Sequence, residues 1–181
     1  MIKIFMGLFF IVCFTSTGCK NAKEAEAKNF IDVSGYLKGQ LAYLDTVPYA
    51  FLKLTLKDTM YGDSVFLTKK EVNEIINFFL VKELEKKEFE KGFDETTFLD
   101  GTINTLTLTY EPINTIETIQ RVDVYVNPET EQIAKIYIVS KKDMMSQQLL
   151  WKHNSSFTLI TTTMDHQNNQ EVKTEKVIWN E

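Results

Sequence analysis

From Leu106 onward the apolar residues of this chain fall on every second position. Leu106, Leu108 and Tyr110 alternate with Thr105, Thr107 and Thr109, and residues 118–126 and 132–140 alternate again around the turn Asn127-Pro128-Glu129-Thr130. Three more alternating runs lie near 146–153, 156–163 and 171–179, separated by Asn154-Ser155 and by Asp165-His166-Gln167-Asn168-Asn169. A period of two is the mark of strands, and turns this short join strands antiparallel. The second half of the chain therefore predicts an antiparallel meander of about six strands. Such a sheet has to bury one face.

The cover is found earlier in the chain. Phe30, Val33, Leu37, Leu41 and Leu44 recur at three- and four-residue steps, which predicts an amphipathic helix over about 29–45, ended by Pro48. Residues 49–57 and 63–67 flank the turn-rich Asp58-Thr59-Met60-Tyr61-Gly62 and read as a hairpin. Thr68-Lys69-Lys70-Glu71 has capping-box spacing, and Val72, Ile75, Ile76, Phe79 and Leu80 follow at helical spacing. A second helix is expected from there to about Lys91-Gly92, with a break near 82–86. The expected class is α+β: two N-terminal amphipathic helices flanking a β-hairpin, then the meander, with the helices packed on one face.

The first nineteen residues follow a different logic. Lys3 precedes an apolar run from Ile4 to Phe14, eleven residues long, which spans roughly half a bilayer core at about 1.5 Å per residue. That length suits the apolar region of a secretory signal rather than a membrane-spanning helix. Ser16-Thr17-Gly18-Cys19 then sets a small residue directly before a cysteine, and resembles the lipobox of bacterial lipoproteins. The resemblance implies cleavage before Cys19, a diacylglycerol on its thiol and an acyl group on the new amine. The expected organisation is a signal peptide over 1–18, a lipidated cysteine and polar spacer over 19–28, and a single domain over 29–181. The other cysteine, Cys13, lies inside the apolar run, so the mature chain can form no internal disulfide. Multiple chains on Cys19 would give stable attachment to a membrane.

Composition narrows the partners. The 181 residues carry 20 basic and 25 acidic side chains, a formal charge of −5, and no basic stripe, which argues against a nucleic-acid partner. Among the basic residues only Arg121 is an arginine. Alternation places Ile119, Arg121, Asp123 and Tyr125 on one face of a strand. The planar guanidinium fork of Arg121 suits a carboxylate or phosphate ligand, but an ion pair within the sheet with Asp123 or a cross-strand acid is the favoured reading, since most such pairs are structural. Trp151, Phe157, Leu159 and Trp179 sit on neighbouring strands, where the core beneath the helices is the favoured place for them, because aromatic residues on strands usually pack inward, and an apolar groove is the alternative.

Other features carry less. His153 and His166 are the only histidines and have no third ligand-type neighbour, so neither a metal nor another cofactor is indicated. Glu83 and Lys87 are spaced for a solvated helix face. Gly35 and Gly39 are spaced for close helix packing. No Gly-x-Ser-x-Gly, His-Glu-x-x-His or glycine-rich phosphate loop is present, and the acids Asp94, Glu95, Asp100 and Asp123 are scattered. No catalytic residue is assigned.

Beyond the lipobox, Gln120-Arg121-Val122-Asp123-Val124, the Leu150-Trp151 strand with Phe157 to Thr162, and Val177-Ile178-Trp179 are similar to a set of small lipoproteins of Bacteroidetes-type bacteria. That resemblance implies no substrate, cofactor or catalytic residue. At the level of fold only, helices followed by an antiparallel sheet are also similar to half-open barrel carriers, cystatin-like cones and small inhibitor modules. The leading expectation is a non-enzymatic module, anchored by Cys19 in a bacterial envelope, that binds another envelope component, most naturally a protein. The alternatives are a carrier or sensor of an acyl chain, held by Arg121, Asp123, Tyr125, Trp151, Phe157 and Trp179, and a hydrolase of envelope polymers. Lys20 and Asn21 lack the aspartate that retains some lipoproteins at the inner membrane, so the outer membrane is expected by resemblance.

Overall fold

A computed structural model describes residues 30–57, 60–114, 118–167 and 169–180. The expectations for the signal peptide, for Cys19 and for the spacer fall outside these residues. Helix α1 (Val33–Thr46) leads into strands β1 (Phe51–Lys57) and β2 (Met60–Leu67), then helix α2 (Lys69–Asn77), a 3₁₀ turn at Lys82–Leu84 and helix α3 (Lys86–Gly92). Strands β3 (Phe93–Asp100), β4 (Thr105–Pro112), β5 (Ile119–Val126), β6 (Ile133–Lys142), β7 (Met145–Lys152), β8 (Ser156–Met164) and β9 (Gln170–Ile178) follow. All belong to one nine-stranded sheet, ordered β2-β1-β9-β8-β7-β6-β5-β4-β3.

The expected architecture is corrected in three places. The hairpin does not stand apart between helices: β1 pairs antiparallel with β9, Leu52 opposite Ile178, and so extends the meander at its far edge. That pairing joins segments more than a hundred residues apart, which no local pattern encodes. The meander also begins one strand earlier, at β3. An edge strand with only Phe93 deeply buried alternates too weakly to be read as a strand. Lastly, the second helix is three pieces, and the described residues form three α-helices in place of two. Phe79, Leu84 and Phe89 are all fully buried at five-residue steps. At about 100° per residue a five-residue step turns the side chain by roughly 140°, so no continuous helix can point all three inward.

Local chemistry explains the element ends. The Asp32 carboxylate caps α1 by accepting from the Gly35 N–H at 2.8 Å, and Pro48 follows the last turn. Both halves of the Thr68–Glu71 capping box are formed at α2: Glu71 N–H donates to Thr68 Oγ1 at 3.3 Å, and Thr68 N–H donates to Glu71 Oε2 at 2.7 Å. Four meander turns each contain one left-handed residue, Asn104, Glu131, Asp143 or Asn154. Asparagine and aspartate tolerate that region better than most residues.

The core lies between the helices and one face of the sheet. Val33, Leu37, Leu41 and Leu44 of α1, with Val72, Ile76, Phe79, Leu84 and Phe89, pack on Val122, Val124, Ile136, Ile138, Leu149, Trp151, Phe157 and Val177. Ile31 N–H donates to the Tyr110 hydroxyl at 3.3 Å, and the Phe30 ring meets Phe89 edge-to-face and Tyr110 at a tilt, so the described chain enters the core beside β4. At the β7–β8 turn, Tyr36 of α1 bonds His153 Nδ1 at 2.8 Å, and burial pushes the Tyr36 phenol up to about 12. Among the described residues no helix is long and apolar enough to cross a membrane.

Candidate functional site

The helices cover one face of the sheet and leave the other open. Register decides which side chains reach the open face. Thr109 of β4 lies opposite Asp123 of β5, and Asp123 lies opposite Tyr137 of β6, while Tyr125 pairs with Lys135. Because these pairs share a face, Arg121, Asp123, Tyr125, Lys135, Tyr137, Val139 and Leu150 surround one shallow depression of about 510 Å³. Ile119 is not among them, against the sequence expectation. A bulge between Ile119 and Arg121 shifts the pairing by one residue and turns Ile119 into the core beside Val122 and Val124.

At the centre stands an ion pair formed along a single strand. Arg121 Nε donates to Asp123 Oδ1 at 3.0 Å and to Oδ2 at 2.9 Å, and Thr109 Oγ1 donates to Oδ1 at 2.7 Å. Asp123 is only 3% exposed, so these bonds satisfy a carboxylate that would otherwise be costly to bury. One guanidinium nitrogen, Nη1, also faces Glu111 Oε1 at 3.7 Å. The Asp123 hydrogen bond holds the Arg121 guanidinium more firmly protonated than usual, with burial opposing and the Asp123 and Glu111 charges assisting. Arg121 is thus a half-exposed cation, its Nε side occupied by the sheet and its Nη side near the rim.

The rim is aromatic. Lys135 Nζ sits 4.6 Å from the centre of the Tyr125 ring, and the Tyr137 hydroxyl donates to Gln148 Oε1 at 2.8 Å. Burial raises the phenol pKa of both tyrosines, so both are neutral hydrogen-bonding groups at neutral pH. Half-buried tyrosines beside a guanidinium and an ammonium make a surface that can contact amides, carboxylates and apolar side chains together.

Trp151, Phe157 and Trp179 lie on the opposite face. Trp151 and Phe157 stack at 5.8 Å with an interplanar angle of 6°, and Trp151 meets Trp179 at 5.3 Å. Phe51 adds a fourth ring at 6.0 Å from Trp179. All four are buried in the helix-covered core. The six residues proposed for one ligand site are therefore divided by the thickness of the sheet: Arg121, Asp123 and Tyr125 share the open face, and the three aromatic residues do not reach it. Sequence reasoning missed Lys135, Tyr137, Val139 and Leu150. Their parity was legible, but which strand lies beside β5 and in what register was not.

His153 contacts Tyr36, and His166 lies in the exposed β8–β9 turn. Among the described residues no group of three histidine, cysteine, aspartate or glutamate side chains is placed to hold a metal ion. The class that the geometry defines is an open antiparallel sheet with helices on one face and a polar, aromatic depression on the other. No family model, no curated protein and no solved structure matches this chain.

Proposed function

We propose that this chain is a non-enzymatic binding module, anchored through lipid on Cys19 in a bacterial envelope, and that its open sheet face holds a protein partner. The observation that carries the reading is the division of the sheet into a helix-filled face and an open face centred on Arg121. An acyl chain needs an apolar recess, and the aromatic residues that would line one are occupied by the core. The open face instead combines Arg121, Tyr125, Tyr137 and Leu150, of which arginine and tyrosine are the residue types enriched at the centres of protein interfaces.

A photo-crosslinking residue placed at Leu150 should capture one discrete envelope protein in cells, whereas the same residue at Lys87 on α3 should not. Arg121→Glu should abolish the crosslink. A discrete lipid mass retained by the purified chain and lost on Arg121→Ala would overturn the protein-partner reading in favour of a carrier. The anchor has its own test: intact-mass measurement should find a mature chain beginning at Cys19 with added glyceride and acyl mass, and Cys19→Ala should leave the protein in the aqueous fraction.

A further inference from the structure

The tip of the β3–β4 hairpin carries three large apolar side chains in solvent: Phe98 is 64% exposed, Leu99 57% and Ile103 67%. Leu99 pairs with Leu106 and Phe98 with Thr107, so the two neighbours point to opposite faces of the sheet. No single surface of a soluble partner lying on either face would cover both. A medium entered end-on covers both at once.

The tether points to that medium. The described chain begins at Phe30, whose ring packs at a tilt 5.1 Å from that of Tyr110 of β4, the strand that forms half of this hairpin. From Tyr110 to Leu106, opposite Leu99, is four residues of strand, about 13 Å at roughly 3.3 Å per residue. Ten residues, 20–29, separate Phe30 from Cys19, and they span at most about 35 Å even when fully extended. A chain fixed to lipid at Cys19 therefore holds this hairpin within reach of the bilayer surface at high effective concentration. We propose that the Phe98–Ile103 tip inserts end-on into the lipid surface as a second membrane contact, orienting the domain. This inference rests on the lipid anchor proposed above.

Charge restricts the lipid. Asp100 lies in the tip, where its Oδ1 accepts from the Thr102 N–H at 2.8 Å, and Asn104 Nδ2 donates to Glu129 of the neighbouring β5–β6 turn at 2.8 Å. The Asp100 carboxylate in the tip and the Glu129 carboxylate, bonded to the tip through Asn104, set two charges beside the inserting side chains and favour a zwitterionic over an anionic surface.

The test uses the full lipidated chain in phosphatidylcholine vesicles, with a nitrobenzoxadiazole dye on Thr102→Cys or, at the opposite end of the strands, on His166→Cys. At 102 the emission should shift to the blue and resist an aqueous quencher; at 166 it should do neither. Changing Phe98, Leu99 and Ile103 together to serine should remove the shift while thermal unfolding stays unchanged, because all three are exposed. Added phosphatidylglycerol should weaken the shift. Equal emission at 102 and 166, or a shift that grows with anionic lipid, overturns the proposal. Counting dyes by intact mass separates this failure from that of the anchor. One dye per chain means that the Cys19 thiol is blocked; two or more means that it is free, which overturns the anchor reading and this inference with it.

Discussion

Arg121 and Asp123 stand two positions apart on β5 and bond side by side, Nε reaching both carboxylate oxygens at 3.0 and 2.9 Å. Residues two apart on a strand share a face, which is why an i, i+2 pair can close without any partner strand. Arg121→Met should leave the Asp123 carboxylate buried without its guanidinium. The cost expected is about 1–2 kcal/mol, toward the low end for a charged hydrogen bond because Arg121 is half-exposed and water can replace it. Urea unfolding of Arg121→Met, Asp123→Asn and the double variant measures the coupling. Additive losses would show that the pair is not an energetic unit.

Trp151 separates a structural from a ligand role. It is fully buried and stacked on Phe157. Trp151→Ala should cost about 3–5 kcal/mol, a large part of the stability of a domain this size. Trp151→Phe should keep most of it. A Trp151→Ala protein of unchanged urea midpoint would place this side chain outside the core.

Thr68 closes the capping box of α2. Thr68→Ala should lose about 1 kcal/mol, and Thr68→Ser should lose little, since the hydroxyl is what accepts the N–H. Hydrogen exchange in the first turn of α2 should accelerate in the alanine variant alone.

Glu175 gives the sheet a pH response. Burial pushes its carboxyl up, but hydrogen bonds and charges from Lys173 at 3.0 Å and Lys53 at 3.1 Å outweigh burial and hold it below its ordinary 4.5. A carboxylate depressed in the folded state stabilises above its unfolded pKa, and that stability fades as pH falls through the folded value. Stability should therefore decline as the medium is acidified below about 4.5. Lys53→Met should flatten that decline, and urea midpoints at pH 6 and pH 3 give the comparison. An identical decline in the two proteins would remove Lys53 from the effect.

Much of the fold is a matter of local period. The alternation at Leu106, Leu108 and Tyr110, the capping box at Thr68 and the helical stripe from Val33 to Leu44 each depend on residues close in the chain. Rotation per residue and side-chain parity follow from backbone geometry alone, so these elements were visible without a structure. Parity also set Arg121, Asp123 and Tyr125 on one face. What local period does not carry is neighbourhood. Only the folded chain brings β1 beside β9, places Tyr137 against Asp123, and inserts the bulge that turns Ile119 away from Arg121. Pairing between distant strands depends on the combined packing of the whole core, and one residue of register exchanges every side chain between faces. The same packing drew Trp151, Phe157 and Trp179 under the helices and left Arg121 on the open side.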